Sequence, residues 1–319
     1  MIFFDPDLEF DLSDFGIAIP IIKRGKIISK SIQVESLRLE MPSQKVLELV
    51  HTKAYVDEYF SSTDALLRIF ELVDSKGNFH RYNPQNSKIN LNILQEKLAK
   101  RVSGAITCVQ RALAHSSRFS FYLGGGMHHA YADQGRGFCP FNDVVIAAKF
   151  IQKNNSSIKK IWIVDTDAHK GDGTAHLTQK DDSIITLSIH MAHSWPLDNP
   201  DKTDICFTPS NLDIPIHKGQ ENIYNTKLLE GLISLEKSYG LPDLVLVVAG
   251  TDVYEKDTLA STQALQLTLE QTVARDLLVY DFFQERHIPQ AWLLGGGYGE
   301  HTCEPTIQFL QSIRDSHKQ

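Results

Sequence analysis

The sequence predicts an α/β fold in which a single domain, residues 1–319, is built on an open parallel sheet with helices on both faces. Five short apolar runs lack polar alternation, which is typical of parallel strands that are covered on both faces. Helical patterns alternate with these runs, as right-handed crossovers require. Four runs end in glycine-rich segments that carry histidine, aspartate or tyrosine. We therefore expect an active site at the carboxyl ends of the strands.

Each element follows from a local pattern. The predicted strands, in chain order, are Phe119–Leu123, Ile161–Asp165, Ile184–Ile189, Leu244–Ala249 and Ala291–Leu294. The predicted helices are Val102–His115, Asp143–Gln152, Glu221–Tyr239, Thr262–Glu285 and Thr306–Ser316. Asn142 is a typical N-cap for the second helix, and Gly240 typically ends the third. The stretches Val73–Asn90 and Met191–Pro215 lack such periodicity, and we interpret them as rims or lids of a site.

Composition and charge exclude several classes of protein. An apolar fraction of 42% and a charged fraction of 22% are ordinary for a globular chain. The 32 basic and 39 acidic residues give a net charge of −7, which argues against direct nucleic-acid binding. A length of 319 residues would allow two domains, but the four glycine-rich segments extend from residue 124 to 298 and need one common sheet.

Cysteine usage and the N-terminus bear on location. The 4 cysteines are widely spaced and predict reduced thiols in a cytoplasmic compartment. The N-terminal 15 residues contain acids and no base, so they predict no targeting peptide. We expect their acids to stay solvated while Phe3, Phe4 and Phe10 pack inward. No apolar run approaches the ~18 residues of a membrane span, and we expect no membrane partner.

A metal site is predicted where two of the strands end. Asp167 and His169 are two residues apart, so on an extended segment they point to the same side. A carboxylate beside an imidazole suits Zn²⁺ or another borderline divalent ion. Asp252, which follows another strand exit that should lie close in space, can supply a third ligand. Taken alone, Asp167 would be interpreted as a helix cap and His169 as a histidine whose hydrogen bonds are satisfied within the fold. With Asp252, three ligands leave a position for water, which is the catalytic pattern.

Acid–base chemistry is predicted for the tandem histidines that follow the first strand. His128 and His129 titrate near neutral pH and can take a proton from water. Such histidines need orienting carboxylates, and Asp165 and Asp172 flank the metal segment as candidates. Tyr298 follows three glycines at the last exit, where its phenol can donate to developing oxyanion charge. We interpret these two histidines, two aspartates and the tyrosine as catalytic, because they share one sheet edge with the metal segment.

Other chemistries find little support. No GxGxxG follows a strand, and neither a GxxxxGK[ST] phosphate loop nor a GxSxG elbow is present. Cys139 lies ten residues beyond His129 and could be a thiol nucleophile. We favour a wall position for Cys139, because a metal-activated water already provides a nucleophile.

The chain resembles the arginase–deacetylase superfamily and, within it, the histone deacetylase family of zinc amidohydrolases. It looks closest to the class IV deacetylases and their bacterial relatives. An N-terminal HTxxY segment, His51–Tyr55, is also similar to the family. The other matching segments are GGMHHA…GFCPFND (Gly125–Asp143), VDTDAHKGDGT (Val164–Thr174), TLSIH (Thr186–His190), AGTDVYEKD (Ala249–Asp257) and LGGGY (Leu294–Tyr298).

The resemblance implies a role for each matching residue. One Zn²⁺ per chain would be held by Asp167, His169 and Asp252, with the histidine pair and the tyrosine in the roles given above. The acyl-lysine tunnel would be formed by Gly126, Phe138, Cys139, Trp195 and Leu259. A K⁺ or Na⁺ ion behind the zinc would be held by Asp165, Asp167, the backbone of His169 and the region of Ser188.

Three departures from the family pattern stand out. Lys170 occupies the position after His169 where the family often has histidine or glutamine. Gly126 and Met127 precede the tandem histidines where many members have Pro-Gly. The aspartate with which the family holds the substrate backbone has no clear match in Val73–Asn90. This last departure bears on recognition of a peptide backbone.

The function predicted from these residues is zinc-dependent hydrolysis of an acyl-amine amide bond. The predicted substrate class is an Nε-acyl-lysine in a protein or peptide, with an acylated polyamine as the alternative. A two-manganese ureohydrolase fits less well, because Asp252 and Asp257 are spaced too far apart for its carboxylate motif. A non-catalytic acyl-lysine binding module remains as a rival from another class. Acyl chain length and oligomeric state stay open.

Overall fold

Eight parallel strands form one sheet in the computed structural model, which describes residues 1–74 and 76–316. Their bounds are β1 Ile2–Phe4, β2 Glu35–Ser36, β3 Phe119–Tyr122, β4 Ile161–Asp165, β5 Ile184–Met191, β6 Leu212–Ile216, β7 Leu244–Val248 and β8 Gln290–Leu293. The strand order across the sheet is β2-β1-β3-β8-β7-β4-β5-β6. All seven neighbouring pairs are parallel, so the predicted parallel α/β architecture is confirmed.

Helices cover both faces of this sheet. Their bounds are α1 Arg24–Ile28, α2 Gln44–Leu47, α3 Lys53–Ser61, α4 Asp64–Ile69, α5 Leu91–Ala114, α6 Asp143–Asn154, α7 Asp172–Thr178, α8 Tyr224–Tyr239, α9 Leu269–Glu285 and α10 Cys303–Ser316. Ile161 and Ile163 of β4 belong to the apolar cluster that contains residues of α5 and α6. The intervening Trp162 and Val164 belong to the cluster of α8, α9 and α10. This alternation explains why β4 is apolar at successive positions.

Three strands were not predicted from the sequence. The edge strand β6 overlaps the end of the stretch expected to be irregular, and only Ile216 of its residues is buried. Pro215 is tolerated there because an edge strand leaves one row of backbone groups unpaired. Strands β1 and β2 have 3 and 2 residues, too short for a periodic pattern. Four predicted helix starts were also wrong, since α5 and α10 begin earlier than expected and α8 and α9 begin later.

Local caps account for two of these boundaries. The side chain of Asn90 accepts a hydrogen bond from the Asn92 amide, so α5 begins at Leu91. Thr268 and Gln271 form a reciprocal capping box, which starts α9 at Leu269.

The acidic N-terminus packs against the sheet only in part as expected. Phe3, Phe4 and Phe10 are buried, as predicted. Asp5 is buried as well, which corrects the expectation that all of these acids are solvated. Its carboxylate accepts hydrogen bonds from the amides of Asp7 and Leu39, at 2.8 and 2.7 Å, and these donors replace water.

The sheet order determines where the site forms. Strands β3, β8, β7 and β4 are adjacent in that order, so their four carboxyl ends meet at one edge. These are the strands whose exits carry the predicted chemical residues. None of the helices in the described part of the chain has the length and apolar character needed to cross a membrane.

Candidate metal centre and catalytic pocket

Two carboxylates and one imidazole converge beyond β4 and β7. Asp167, His169 and Asp252 are buried, and each offers a ligand atom within 4.8 Å of the others. His169 Nδ1 lies 3.2 Å from Asp167 Oδ1 and 3.0 Å from Asp252 Oδ2. Ligands around a tetrahedral zinc ion with bonds of about 2.0–2.1 Å stand roughly 3.3 Å apart. The spacing and the donor set therefore fit a divalent ion of the zinc type.

Backbone amides fix the outer oxygens of both carboxylates. The Gly296 amide donates to Asp167 Oδ2 at 2.7 Å, and the Ala168 amide donates to Asp252 Oδ1 at 2.9 Å. The remaining oxygens are thereby turned toward His169. Burial, reinforced by the charge of Asp167, raises the pKa of Asp252 to about 6. Two carboxylates in this buried space thus need a cation beside them.

Each of the tandem histidines is paired with a buried carboxylate. His128 Nδ1 lies 2.6 Å from Asp165 Oδ2, and His129 Nδ1 lies 2.6 Å from Asp172 Oδ1. These two carboxylates are the orienting candidates that the sequence predicted. The two rings are 3.9 Å apart between centroids, so a proton on one disfavours a proton on the other.

The surroundings separate the two histidines electrostatically. Burial opposes charge on His128, but the carboxylates of Asp165 and Asp167 outweigh it and raise its pKa to about 9. Burial, together with the neighbouring His128, lowers the pKa of His129 to about 3. His129 is therefore the neutral imidazole of the pair and the one able to accept a proton.

Asp172 has two further partners that the sequence analysis did not single out. The Tyr131 hydroxyl donates to Asp172 Oδ2 at 2.6 Å, and Arg136 Nη1 lies 3.5 Å from the same oxygen. Burial would raise the pKa of Asp172, but His129 and Arg136 bring it below its ordinary value. Both residues follow the tandem histidines closely in sequence, yet nothing in their spacing indicates that they face Asp172.

A pocket of about 180 Å³ opens from the metal group to the surface. Its lining residues are Glu71, Arg81, His129, Gly137, Phe138, His169, Trp195, Leu259, Ala260, Ser261 and Tyr298. Arg81 and Trp195 come from the two stretches predicted to be rims or lids. Of the predicted tunnel residues, Phe138, Trp195 and Leu259 line this pocket. Gly126 and Cys139 instead line a smaller cavity of about 80 Å³, which shares His129, Phe138 and Tyr298 with this pocket and also includes Arg24.

Cys139 occupies a wall position. Its thiol is buried and lies 3.3 Å from the Gly137 carbonyl oxygen. Burial raises the pKa of the Cys139 thiol well above its ordinary value. A protonated thiol is a weak nucleophile, so this geometry favours the wall interpretation.

Tyr298 is held through its backbone and presents its ring to the pocket. Its amide donates to Asp257 Oδ2 at 2.7 Å, and its ring lies 6.0 Å from that of Phe138. None of the described residues accepts a hydrogen bond from its hydroxyl. Burial raises the pKa of Tyr298 well above its ordinary value, so the phenol keeps its proton. Asp257, noted in the sequence only by its distance from Asp252, is the residue that positions Tyr298.

The residues implied for a monovalent ion lie on β4, β5 and the loop after β4. Asp165 and Ser188 are directly opposite each other in the ladder between these strands. Ser188 Oγ lies 3.0 Å from His190 Nδ1. Lys170, which departs from the family pattern, points toward β6, where its ammonium lies 2.6 Å from Asp213 Oδ2. Lys170 is thus neutralised within the fold and does not face the pocket.

A buried arginine on α9 connects the two strand exits that carry the metal group. Arg275 is fully buried and donates from Nη1 to the carbonyl oxygens of Thr166, at 3.0 Å, and Gly250, at 2.7 Å. Its Nε donates to Asp276 Oδ1 at 2.8 Å. The sequence gives one indication of this buried arginine, because the adjacent charges of Arg275 and Asp276 interrupt an otherwise apolar face of a helix. Arg275 fixes the exits of β4 and β7 relative to each other.

We expect Arg275→Lys to weaken zinc binding about tenfold or more, as loss of supporting contacts around metal ligands does. A lysine ammonium lacks the planar fork of guanidinium and cannot keep the same set of bonds. The measurement is zinc affinity by competition with a chromogenic chelator, at a temperature where both proteins are folded. Arg286→Lys, at the end of the same helix, is the control. Unchanged affinity with lowered melting temperature would reduce Arg275 to a purely structural role.

His51, from the HTxxY segment, contacts the backbone that follows the tandem histidines. The Asn142 amide donates to His51 Nε2 at 3.0 Å, so Nδ1 carries the hydrogen and donates to the Tyr131 carbonyl at 2.8 Å. The Asn142 side chain in turn donates to the His128 carbonyl at 3.3 Å. Burial lowers the pKa of His51 to about 4. A neutral His51 is therefore built into the fold.

We expect this histidine to make stability pH-dependent. Between pH 6.5 and 4 the unfolded chain binds a proton at His51 that the folded chain does not, so stability falls as pH falls. Across this window the loss is about 3 kcal/mol. In His51→Gln, which keeps one donor and one acceptor, urea unfolding from pH 7 to 4.5 should show a shallower loss. His115→Gln, at the surface, is the control, and identical slopes would contradict the prediction.

Comparisons with known proteins agree with this architecture. The family profile described as "Histone deacetylase domain" matches residues 20–312. An uncharacterized protein of Picosynechococcus is 31% identical over 268 residues, covering 82% of this chain and 78% of that protein. Histone deacetylase 2 of Arabidopsis thaliana is 27% identical over 307 residues, covering 95% and 73%. The crystal structure of an HDAC homolog from Aquifex aeolicus shares the fold, with a TM-score of 0.73 and 18% identity, covering 97% of this chain and 82% of that one.

Proposed function

Because the chain belongs to the histone deacetylase family, we propose that it is a zinc-dependent hydrolase that removes the acyl group from an Nε-acyl-lysine. One observation carries the proposal. A buried group of two carboxylates and an imidazole lies beside two carboxylate-paired histidines, and His129, His169 and Tyr298 line one pocket. The walls of this pocket are largely apolar, as an aliphatic lysine side chain requires.

Asp167, His169 and Asp252 would hold the ion. When bound, a divalent ion polarises an amide carbonyl and lowers the pKa of an attacking water toward ~7. The site's own residues would then manage the protons. His129 would be the proton acceptor, since it is the neutral imidazole of the pair and it lines the pocket, whereas His128 does not. Asp172 orients the ring by accepting from Nδ1, which leaves Nε2 free for the proton of the water.

The remaining steps use Tyr298 and the same histidine. As the amide oxygen gains negative charge, the Tyr298 hydroxyl can donate a hydrogen bond to it. The proton taken up by His129 is then delivered to the amine nitrogen as the carbon–nitrogen bond breaks. His128, whose pKa is raised, keeps a positive charge beside the reacting groups. The second proton of the water also passes to the amine, so the products are a carboxylate and an ammonium group, and atoms and charge balance with one water consumed.

Several companion features belong to the same proposal. We assign one zinc ion per chain, since a single three-residue metal group is found among residues 1–74 and 76–316. A K⁺ or Na⁺ ion would lie beside Asp165 and Ser188. We treat residues 1–319 as one catalytic domain. The four cysteines are free and buried, which supports the proposed cytoplasmic location. An acylated polyamine remains the alternative substrate.

The direct test uses protein stripped of metal and reconstituted with one equivalent of Zn²⁺. A panel of acetyl-lysine, long-chain acyl-lysine and acetylpolyamine substrates is assayed for amine release. We expect zinc-dependent hydrolysis of at least one acyl-lysine substrate. Binding of an acetylated peptide without turnover would instead favour a recognition module, and arginine cleavage with two manganese ions would favour a ureohydrolase.

A further inference from the structure

An ion pair lies at the outer rim of the pocket and has no part in the mechanism above. Arg81 Nη1 is 3.2 Å from Glu71 Oε2, and the two side chains are 38% and 45% exposed. Apart from histidines, these two are the charged residues among the described residues that line the pocket. One positive and one negative group thus face solvent where the narrow apolar part of the pocket begins. We call Glu71 and Arg81 the rim pair.

A hairpin holds the rim pair in place. Val73 and Phe79 form an antiparallel bridge, and the His80 amide donates to the Leu72 carbonyl at 3.0 Å. Glu71 and Arg81 therefore lie side by side at the open end of this hairpin. The Asp74 carboxylate closes the other end by accepting from backbone amides of the turn.

Two further contacts tie the hairpin to its surroundings. The Arg81 carbonyl accepts from the Ala18 amide at 2.8 Å. On the other side, the Phe138 amide donates to the Ile69 carbonyl at 3.0 Å, which couples the segment before Glu71 to the pocket wall. Glu71 itself has φ of 52°, a conformation that non-glycine residues rarely adopt. The rim pair is thus positioned by backbone contacts on both sides.

We propose, on the basis of the deacylase function above, that the rim pair recognises the α-ammonium and α-carboxylate groups of a free Nε-acyl-lysine. With the acyl end at the metal group, the α-carbon of the lysine lies toward the pocket mouth. Glu71 then accepts from the α-ammonium group, and Arg81 donates to the α-carboxylate. The substrate class is therefore a zwitterionic acylated amino acid rather than an acylated protein.

Charge complementarity separates this substrate from its rivals. A protein-bound lysine has neutral amides at the α-carbon. It would therefore displace water from the rim pair without offering an opposite charge to either side chain. An acylated polyamine carries positive charge alone, which suits Glu71 but is repelled by Arg81. A zwitterion gives each member of the rim pair a charge-assisted hydrogen bond.

The loop itself supports the same choice. Asp74 is the one carboxylate between residues 73 and 90. Its oxygens are taken by the amides of Lys76 and Asn78, at 2.8 and 2.9 Å, and by the Asn78 side chain. Asp74 is therefore engaged within its own turn, and it does not line the pocket.

The test compares four substrates with the zinc-loaded, full-length protein. They are Nε-acetyl-lysine, its Nα-acetyl derivative, its carboxamide, and the compound with both blocks. These offer both α-charges, the carboxylate alone, the ammonium alone, and neither. We expect kcat/KM to fall about tenfold or more from the first to the last, with the two singly charged compounds between them. An acetyl-lysine peptide should behave like the doubly blocked compound.

Variants assign the preference to the rim pair. In Glu71→Gln the advantage conferred by the α-ammonium group should disappear, and in Arg81→Gln the advantage conferred by the α-carboxylate. Arg68→Gln is the matched control, because Arg68 pairs with Glu58 outside this pocket and should keep the wild-type preference.

The outcomes distinguish this inference from the function on which it rests. If no substrate is hydrolysed, the deacylase proposal itself fails. If the doubly blocked compound or the peptide is hydrolysed as well as free Nε-acetyl-lysine, only the zwitterion proposal fails. A preference for the zwitterion that persists in Glu71→Gln and in Arg81→Gln would also overturn it, because the recognition would then lie elsewhere.

Discussion

Asp252→Asn should abolish zinc binding and acyl-amine hydrolysis while leaving the metal-free fold at least as stable as before. Asparagine keeps the oxygen that accepts from the Ala168 amide, so the loop after β4 retains its hydrogen bond. It loses the anionic oxygen that lies 3.0 Å from His169 Nδ1. Because losing a contact that only supports a ligand costs about 10–100-fold in metal affinity, losing the ligand itself should cost more.

The stability part of this prediction follows from the electrostatics of the metal-free site. Burial and the nearby Asp167 raise the pKa of Asp252 to about 6, so its carboxylate, which is ionised at neutral pH, costs stability relative to an ordinary aspartate. A neutral side chain of the same shape removes that penalty. We therefore expect the melting temperature of the metal-free variant to equal or exceed that of the wild type. Added Zn²⁺ should raise the melting temperature of the wild type alone.

Calorimetric zinc titration, thermal unfolding and an acetyl-lysine assay check the three parts. Asp243→Asn is the matched control, since the Asp243 carboxylate accepts from the Lys159 and Lys160 amides at the opposite, amino-terminal end of β4. That variant should keep zinc binding and activity. Zinc binding and hydrolysis that persist in Asp252→Asn would contradict both the ligand assignment and the catalytic mechanism.

The metal group was predictable because two simple rules place it. Parallel strands bring their carboxyl ends to one edge, and a two-residue spacing puts Asp167 and His169 on one side. Asp252 joins them because β4 and β7 are neighbours in the sheet. The pairing of the tandem histidines with carboxylates follows from the same edge. Their catalytic and ligand roles stay predictions until the variants are measured.

Residues that act through long-range packing were not predictable in this way. Arg275 reaches two carbonyl oxygens that lie 109 and 25 residues away in sequence. Arg81 lies in a stretch without periodicity, and its position depends on the hairpin that brings it beside Glu71. Nothing next to Arg275 in sequence indicates that it reaches these carbonyl oxygens, and nothing next to Arg81 indicates that it pairs with Glu71. The fold was easier to predict than these contacts, because apolar runs report burial directly, whereas short edge strands such as β2 do not.

Tyr298→Phe should lower kcat about 10²–10³-fold while zinc affinity and KM change little. That factor, about 3–4 kcal/mol, is typical for loss of one donor to a developing oxyanion. Tyr298 is held by the hydrogen bond that its backbone amide donates to Asp257 and by the contact of its ring with Phe138. Phenylalanine keeps both. Since its raised pKa keeps the hydroxyl protonated, the wild type can donate throughout the neutral pH range.

The stability of this variant separates a catalytic hydroxyl from a structural one. No described residue accepts a hydrogen bond from the Tyr298 hydroxyl, so its removal leaves no protein group without a partner. We expect the melting temperature to stay unchanged or rise. Tyr239→Phe, at the end of α8, should leave both kcat and stability unchanged. A fall in kcat that is matched by lost zinc binding would contradict the assignment, because Tyr298 would then support the metal group instead of the reacting oxygen.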